Sequence, residues 1–143
     1  MRRLPAALAI SLTCTVCSGP DSDLPGAYRR VQVPEKRLRS GEAVVRGETL
    51  YETNCVLCHG ERGNGRGQRS EGFVRTPTRF ADPMWRERTS PRQVFVVVRE
   101  GRQGTPMPSW RWLSEDETWD IVAYVLSLAE SPQGRADSAP EAP

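Results

Sequence analysis

The chain of 143 residues is poor in the side chains that most metal sites use. It has one histidine, four cysteines and three methionines. A zinc site with two cysteines and two histidines, or ligation of one metal ion by two histidines of this chain, needs a second histidine and is therefore excluded. The formal net charge is only +2. Because this charge exerts little overall attraction on nucleic acid, we predict no nucleic acid partner.

The chain also lacks a long apolar run. Its most apolar stretch, residues 4–16, is too short to span a bilayer comfortably and follows two arginines, Arg2 and Arg3. A basic start followed by a short apolar segment is typical of an export signal. We therefore predict that residues 1–18 direct the protein to the periplasm or to another extracytoplasmic location.

The sequence leaves the processing of this signal open. Val16 and Ser18 are small enough to flank a cleavage site after Ser18, which would release a soluble protein. The alternative is a lipoprotein that carries its lipid on Cys14 or Cys17, although neither cysteine follows the usual small residue. In both cases we expect membrane contact only through a lipid anchor or a membrane complex.

Composition divides the rest of the chain into three parts. Residues 19–42 combine prolines with charges and have no apolar periodicity, which predicts a flexible or extended N-terminal arm. Residues 131–143 are low in apolar content and are predicted to be a disordered tail. One compact domain is therefore expected over residues 43–130.

Three helices are predicted in this domain, which makes its fold class all-α. Helical spacing of apolar and small residues predicts the first at 43–55. The second, at 90–101, begins with a capping box and a proline and ends at a glycine, and these signals outweigh the strand propensity of its valines. The third, at 114–128, begins with another capping box and several acids. Gly- and Pro-rich loops are expected at 60–89 and 101–113.

The most informative motif is "NCVLCHG", in which Cys55 and Cys58 are two residues apart and His59 follows directly. Zinc lacks enough further ligands, because the other two cysteines lie in the export segment. A thioredoxin-like dithiol belongs to a βαβ unit, and no such unit is visible. Covalent haem attachment needs this spacing, because the two thiols add to two vinyl groups and the imidazole then reaches the iron. We predict one covalent haem c, with His59 as an axial iron ligand.

A single histidine leaves the sixth coordination position to another residue type. Apart from the initiator, Met84 and Met107 are the only methionines. Met107 lies between Pro106 and Pro108, which fix the backbone angle φ on both sides and so limit the entropy of the loop. We predict Met107 as the second axial ligand and keep Met84 as the alternative.

These motifs resemble those of the class I c-type cytochromes, in particular the small bacterial monohaem domains. The resemblance covers about residues 45–128 and is carried by "GETLYETNCVLCHGERGNGRG", "TPTRFADP", "VFVVVREGRQGTPMPSW" and "LSEDETWDIVAYVLSL". It implies a cytochrome c-like fold, with three or more helices packed around one covalently attached haem.

The resemblance also implies two specific contacts. Gly47 and Tyr51 of the first helix should meet Tyr124 of the last helix where the two cross. The backbone near Pro77 should accept a hydrogen bond from the ring nitrogen of His59 that does not face the iron, which sets the orientation of the imidazole.

The expected function is one-electron transfer between extracytoplasmic or membrane redox partners. With both axial positions filled, no substrate binds the iron, so we predict an electron carrier and not an enzyme. The carrier could be a free shuttle or the cytochrome subunit of a respiratory or photosynthetic complex, with a membrane-bound oxidoreductase or a reaction centre as partner. The alternative is a haem-based sensor or peroxidase with a displaceable sixth ligand. A peroxidase would need a distal base, and the chain has no second histidine.

Overall fold

The structure is a computed structural model that describes residues 21–130. These residues form seven α-helices and one 3-10 turn, and no strand occurs among them. The predicted all-α fold class is therefore confirmed. No helix in this part of the chain is long and apolar enough to cross a membrane. The predicted export signal at 1–18 and the predicted tail at 131–143 lie outside the described residues and stay predictions.

Three of the seven helices have ten residues or more, and they correspond to the three predicted ones. In chain order the helices are α1 (Gly26–Arg29), α2 (Glu35–Leu38), α3 (Gly41–Asn54), α4 (Val56–His59), α5 (Pro83–Arg88), α6 (Pro91–Glu100) and α7 (Glu115–Glu130), with the 3-10 turn at Gln68–Ser70. The predicted loop at 60–89 thus also contains this turn and α5.

Both predicted capping boxes are present, and they explain where α6 and α7 begin. The hydroxyl of Ser90 accepts a hydrogen bond from the backbone N–H of Gln93, whose side chain accepts one from the N–H of Ser90. Ser114 and Glu117 make the same reciprocal pair at the start of α7. Each pair satisfies backbone N–H groups that have no partner inside the helix.

The centre of the fold is the crossing of α3 and α7. A Cβ atom added to Gly47 would lie 2.0 Å from the backbone oxygen of Asp120 and 2.9 Å from the Cβ of Tyr124. One turn later, the rings of Tyr51 and Tyr124 pack with their centroids 5.1 Å apart. The helix contact implied by the resemblance to class I cytochromes is therefore confirmed. Only glycine allows the two backbones to approach this closely.

We expect Gly47→Ala to destabilise the protein by about 1–3 kcal/mol or more, because the added methyl group meets backbone atoms that cannot move aside. Gly41→Ala is the matched control, since Gly41 lies in the same helix and a Cβ there would have nothing within 4 Å. The control should stay within about 1 kcal/mol of the wild type. Chemical unfolding measures both free energies, and equal losses in the two variants would contradict this account of the helix crossing.

The structure corrects the expectation of a flexible or extended arm. Residues 21–40, which we call the N-terminal strap, lie against α6 and α7. Leu24 is buried, and the side chains of Asp21 and Arg92 form an ion pair. The helices of the strap are only four residues long and contain no buried residue. They therefore have no apolar periodicity that could reveal the packing in the sequence.

A buried carboxylate joins the strap to the crossing helices. Asp120 of α7 has only 3% of its side chain exposed and pairs with Arg37 of the strap and Arg46 of α3. Arg37 donates two hydrogen bonds, of 2.6 and 2.9 Å, to the two carboxylate oxygens. Burial alone would raise the pKa of Asp120, but the hydrogen bonds from the two arginines outweigh burial and lower it. The strap is thus tied to α3 and α7 through one ionised group.

Candidate haem-binding site

The two thiols and the imidazole lie on a single helical turn. Cys55 ends α3 and begins α4, and its carbonyl oxygen accepts hydrogen bonds from the N–H groups of Cys58 and His59, at 3.1 and 2.9 Å. Residues three apart in a helix face the same side, so the turn presents the two thiols together. The structure therefore brings the three predicted residues Cys55, Cys58 and His59 into one place.

The chain after α4 folds back over this turn. Gly65 donates its N–H to the carbonyl of His59 at 2.8 Å, and Gly67 donates to the carbonyl of Cys58 at 3.2 Å. From the other side, the Tyr51 hydroxyl donates to the Gly60 carbonyl at 2.7 Å. The carbonyl groups at the end of α4, which have no partner inside the helix, are thereby satisfied and the turn is held rigidly.

The orientation of the His59 ring is set by two neighbours. Nδ1 lies 3.4 Å from the carbonyl oxygen of Thr78, and the ring stacks on Phe80 with a centroid distance of 4.7 Å and an angle of 19°. A carbonyl oxygen can only accept, so Nδ1 carries the proton and Nε2 keeps its lone pair for a metal. The expected contact with the backbone near Pro77 is confirmed, and the acceptor is the next residue, Thr78.

Burial shifts the pKa values of the imidazole and of one thiol in opposite directions. Burial lowers the pKa of His59, although the hydrogen bond to Thr78 acts against this, and the neutral imidazole is the form that binds a metal. Burial, with a smaller contribution from Cys58, raises the pKa of the Cys55 thiol to about 12 in the polypeptide without haem.

Two buried hydrogen-bond donors of the described chain have no acceptor within it. They are the indole Nε1 of Trp110 and the guanidinium Nε of Arg86. Unpaired buried donors are rare and usually indicate a missing partner. Haem carries two propionate carboxylates, which are acceptors of the required kind. The two donors are therefore of the chemical kind that propionates would accept from, and the paired thiols and the neutral imidazole also suit this cofactor.

The two methionines lie in different environments. Met107 is half-buried in the loop between α6 and α7, where its carbonyl accepts a hydrogen bond of 3.1 Å from the N–H of Arg102. Met84 lies in the first turn of α5 and is 54% exposed. The hydrogen bonds described for Met107 involve its backbone and lie within its own loop. Ligation of the iron by its side chain stays a prediction.

Sequence reasoning missed two contacts of the site. One is the hydrogen bond from the Tyr51 hydroxyl to Gly60, and the other is the stacking of Phe80 on His59. The resemblance had assigned Tyr51 a contact with Tyr124 only. Neither contact leaves a sequence signal, because the acceptor in the first is a backbone carbonyl and the second joins residues 21 positions apart.

A rigid turn with two thiols and an oriented imidazole, closed by a returning loop, defines a c-type cytochrome domain. Comparison with known proteins identifies the family. Residues 42–125 match the family described as cytochrome c oxidase, cbb3-type, subunit III, and the chain belongs to that family. A c-type cytochrome domain of this kind binds haem c, with its iron, covalently.

Three curated relatives are similar over 62% to 71% of this chain. The cytochrome bc1 complex cytochrome c subunit of Corynebacterium diphtheriae is 35% identical over 89 residues, 62% of this chain and 28% of its own length. The cbb3-type cytochrome c oxidase subunit FixP of Bradyrhizobium diazoefficiens is 30% identical over 91 residues, 63% of this chain and 29% of its own. The thiosulfate dehydrogenase of Allochromatium vinosum is 29% identical over 115 residues, 71% of this chain and 39% of its own.

A solved structure supports the same fold. A chain of the Kuenenia stuttgartiensis reducing HAO-like protein complex aligns with a TM-score of 0.57 and 31% identity, over 62% of this chain and 44% of that chain. The present chain spans between 28% and 39% of the length of the three curated relatives. The similarity therefore concerns only a part of each relative.

Proposed function

We propose that this domain transfers single electrons through a covalent haem c attached to Cys55 and Cys58, with His59 and Met107 as axial ligands. The observation that carries the proposal is the position of His59 on the turn that bears both thiols. The Thr78 carbonyl holds Nδ1, so the ring presents Nε2 as the metal-binding nitrogen. When bound, haem c supplies a couple between ferric and ferrous iron that exchanges one electron.

The residues of the chain then decide which chemistry this couple performs. If Met107 and His59 both hold the iron, no coordination position would be left open for a substrate. A thioether also favours the ferrous state and raises the reduction potential. The rigid packing of α4 between Tyr51 and the returning loop keeps the imidazole in one position, so little reorganisation accompanies a change of charge. These properties are those of an electron carrier.

The proposed partners are redox proteins of a membrane oxidoreductase, which this chain serves as a subunit or a shuttle. Support comes from the names of its relatives, two of which are cytochrome subunits of bc1 and cbb3-type complexes.

The location we propose is extracytoplasmic, because residues 1–18 have the pattern of an export signal. Intact mass of the native protein tests this: a start near Gly19, or an acyl chain on Cys14 or Cys17, supports it, and an unprocessed Met1 contradicts it.

A redox titration combined with carbon monoxide binding tests the electron-carrier function. We expect the purified holoprotein to follow a one-electron Nernst curve, to stay low-spin in both states and not to bind carbon monoxide when reduced, since no coordination position is open. Rapid carbon monoxide binding by the folded ferrous protein would contradict the proposal. It would favour a sensor or a peroxidase, whose sixth ligand must be displaceable.

A further inference from the structure

The loop that carries Met107 behaves as one internally bonded unit. We call residues 101–110 the methionine loop. Within it, Arg102 donates its N–H to the Met107 carbonyl and Thr105 donates to the Arg102 carbonyl, each at 3.1 Å. Gly101, with φ of +72°, lies so close that a Cβ there would be 2.7 Å from the Met107 carbonyl oxygen. Because these contacts fix the backbone inside the loop, the position of the Met107 backbone depends mainly on how the two ends of the loop are held.

The two ends are joined by a charged pair. Glu100, the last residue of α6, accepts hydrogen bonds from Nη2 and Nε of Arg111 at 2.7 and 3.1 Å. These two residues stand immediately before and after the methionine loop. A bidentate pair between a guanidinium and a carboxylate fixes direction as well as distance. The pair therefore closes the base of the loop.

The N-terminal strap supplies a third member of this network. The hydroxyl of Tyr28 in α1 donates a hydrogen bond to Glu100, 72 residues away in the sequence. The Tyr28 ring is itself held edge-on against Phe95 of α6, with ring centroids 6.4 Å apart. The strap thus contacts the one carboxylate that anchors the loop, and does so from a rigid position.

Stability alone does not account for this arrangement. Arg111 is 64% exposed, and ion pairs with so exposed a member contribute little to the free energy of unfolding. Their effect on geometry is larger when they restrain a segment that otherwise has only a few attachments. The methionine loop is such a segment. Its further attachments are a hydrogen bond of 3.0 Å from the backbone N–H of Trp110 to the Val98 carbonyl and one of 2.6 Å from the Ser109 hydroxyl to the Arg99 carbonyl.

We propose that Tyr28, Glu100 and Arg111 are positioning residues for Met107, through which the N-terminal strap controls how firmly Met107 occupies the sixth coordination position. The inference rests on the proposed ligation by Met107. Weakening the network increases the fraction of molecules in which Met107 has left the metal. The apparent affinity for an external ligand rises in proportion to that fraction.

Imidazole titration of the ferric holoprotein tests the inference, because imidazole binds the iron only where Met107 has left. We expect about tenfold tighter binding for Glu100→Gln, which weakens a charge-assisted network, and about threefold for Tyr28→Phe, which removes one hydrogen bond and keeps the ring. Asp21→Asn is the matched control. It weakens the contact of the strap with Arg92 at the opposite end of α6, and its imidazole affinity should stay within about twofold of the wild type.

The outcomes separate this inference from the function on which it rests. Tighter imidazole binding in Glu100→Gln and Tyr28→Phe, with melting temperatures no lower than that of Asp21→Asn, supports the positioning role. Ferric haem shows a weak far-red absorption band when sulfur is bound to its iron. If the wild type shows this band but both variants bind imidazole with the affinity of the wild type, the positioning role is overturned and ligation by Met107 stands. If the wild type lacks the band, ligation itself fails, and the inference fails with it.

Discussion

Replacing Met107 by alanine is expected to abolish the weak far-red absorption band that ferric haem shows when sulfur is bound. The ferrous variant should bind carbon monoxide at once, because its sixth position is open. Loss of the thioether should also lower the reduction potential by on the order of 0.1 V or more, within the roughly 0.8 V range that axial ligands set in haem proteins. Absorption spectroscopy and a redox titration of the holoprotein measure all three effects.

Met84→Ala is the matched control, since Met84 is the only other methionine among the described residues. It is 54% exposed, so its removal should cost less than about 1 kcal/mol of stability and should leave band, ligand binding and potential unchanged. If Met84→Ala removes the band and Met107→Ala keeps it, the assignment of the two methionines is reversed. If neither variant removes a band present in the wild type, neither methionine alone is the ligand.

The second large effect is expected when both thiols of the "NCVLCHG" motif are removed. In the variant with Cys55→Ala and Cys58→Ala, no thioether can form, so extraction with acidic acetone should remove all haem from the polypeptide. In the wild type the colour should stay with the protein, and each single variant keeps one covalent bond. The measurement is the absorbance of the two phases after extraction.

A residue of the same turn that carries no thiol provides the control for this experiment. Leu57 lies between the two cysteines and is 41% exposed. Replacing it by alanine should leave the haem on the polypeptide. Haem that becomes extractable in this control, or that remains fixed when Cys55 and Cys58 are absent, would contradict the assignment of the thioethers.

The long helices were predictable because their signals are local. The capping boxes at Ser90 and Ser114 mark where α6 and α7 begin, and both pairs are formed in the structure. The haem motif is equally local, since one helical turn contains all three side chains. The crossing of α3 and α7 at Gly47 needed the resemblance to a family, because spacing alone does not say which glycine meets another helix.

The remaining contacts could not be predicted, for physical reasons that differ between them. The strap is held by charged side chains whose partners lie far along the chain, such as Arg37 with Asp120, and such pairs have no periodicity. Asp120 follows the acids of the first turn of α7 closely, and nothing in the sequence distinguishes this buried carboxylate from them. The acceptor for His59 is the backbone of Thr78, and any residue type could supply that carbonyl.

Peptide mapping of the wild-type holoprotein tests the central claim most directly. Trypsin cuts after Arg46 and Arg62 and releases the peptide "GETLYETNCVLCHGER", which contains Cys55, Cys58 and His59. We predict that this peptide carries the mass of one haem, absorbs in the visible range and takes up no thiol-alkylating reagent. A colourless peptide of unmodified mass, in which both thiols react with the reagent, would contradict the claim that this chain is a cytochrome with its haem bound covalently at these two residues.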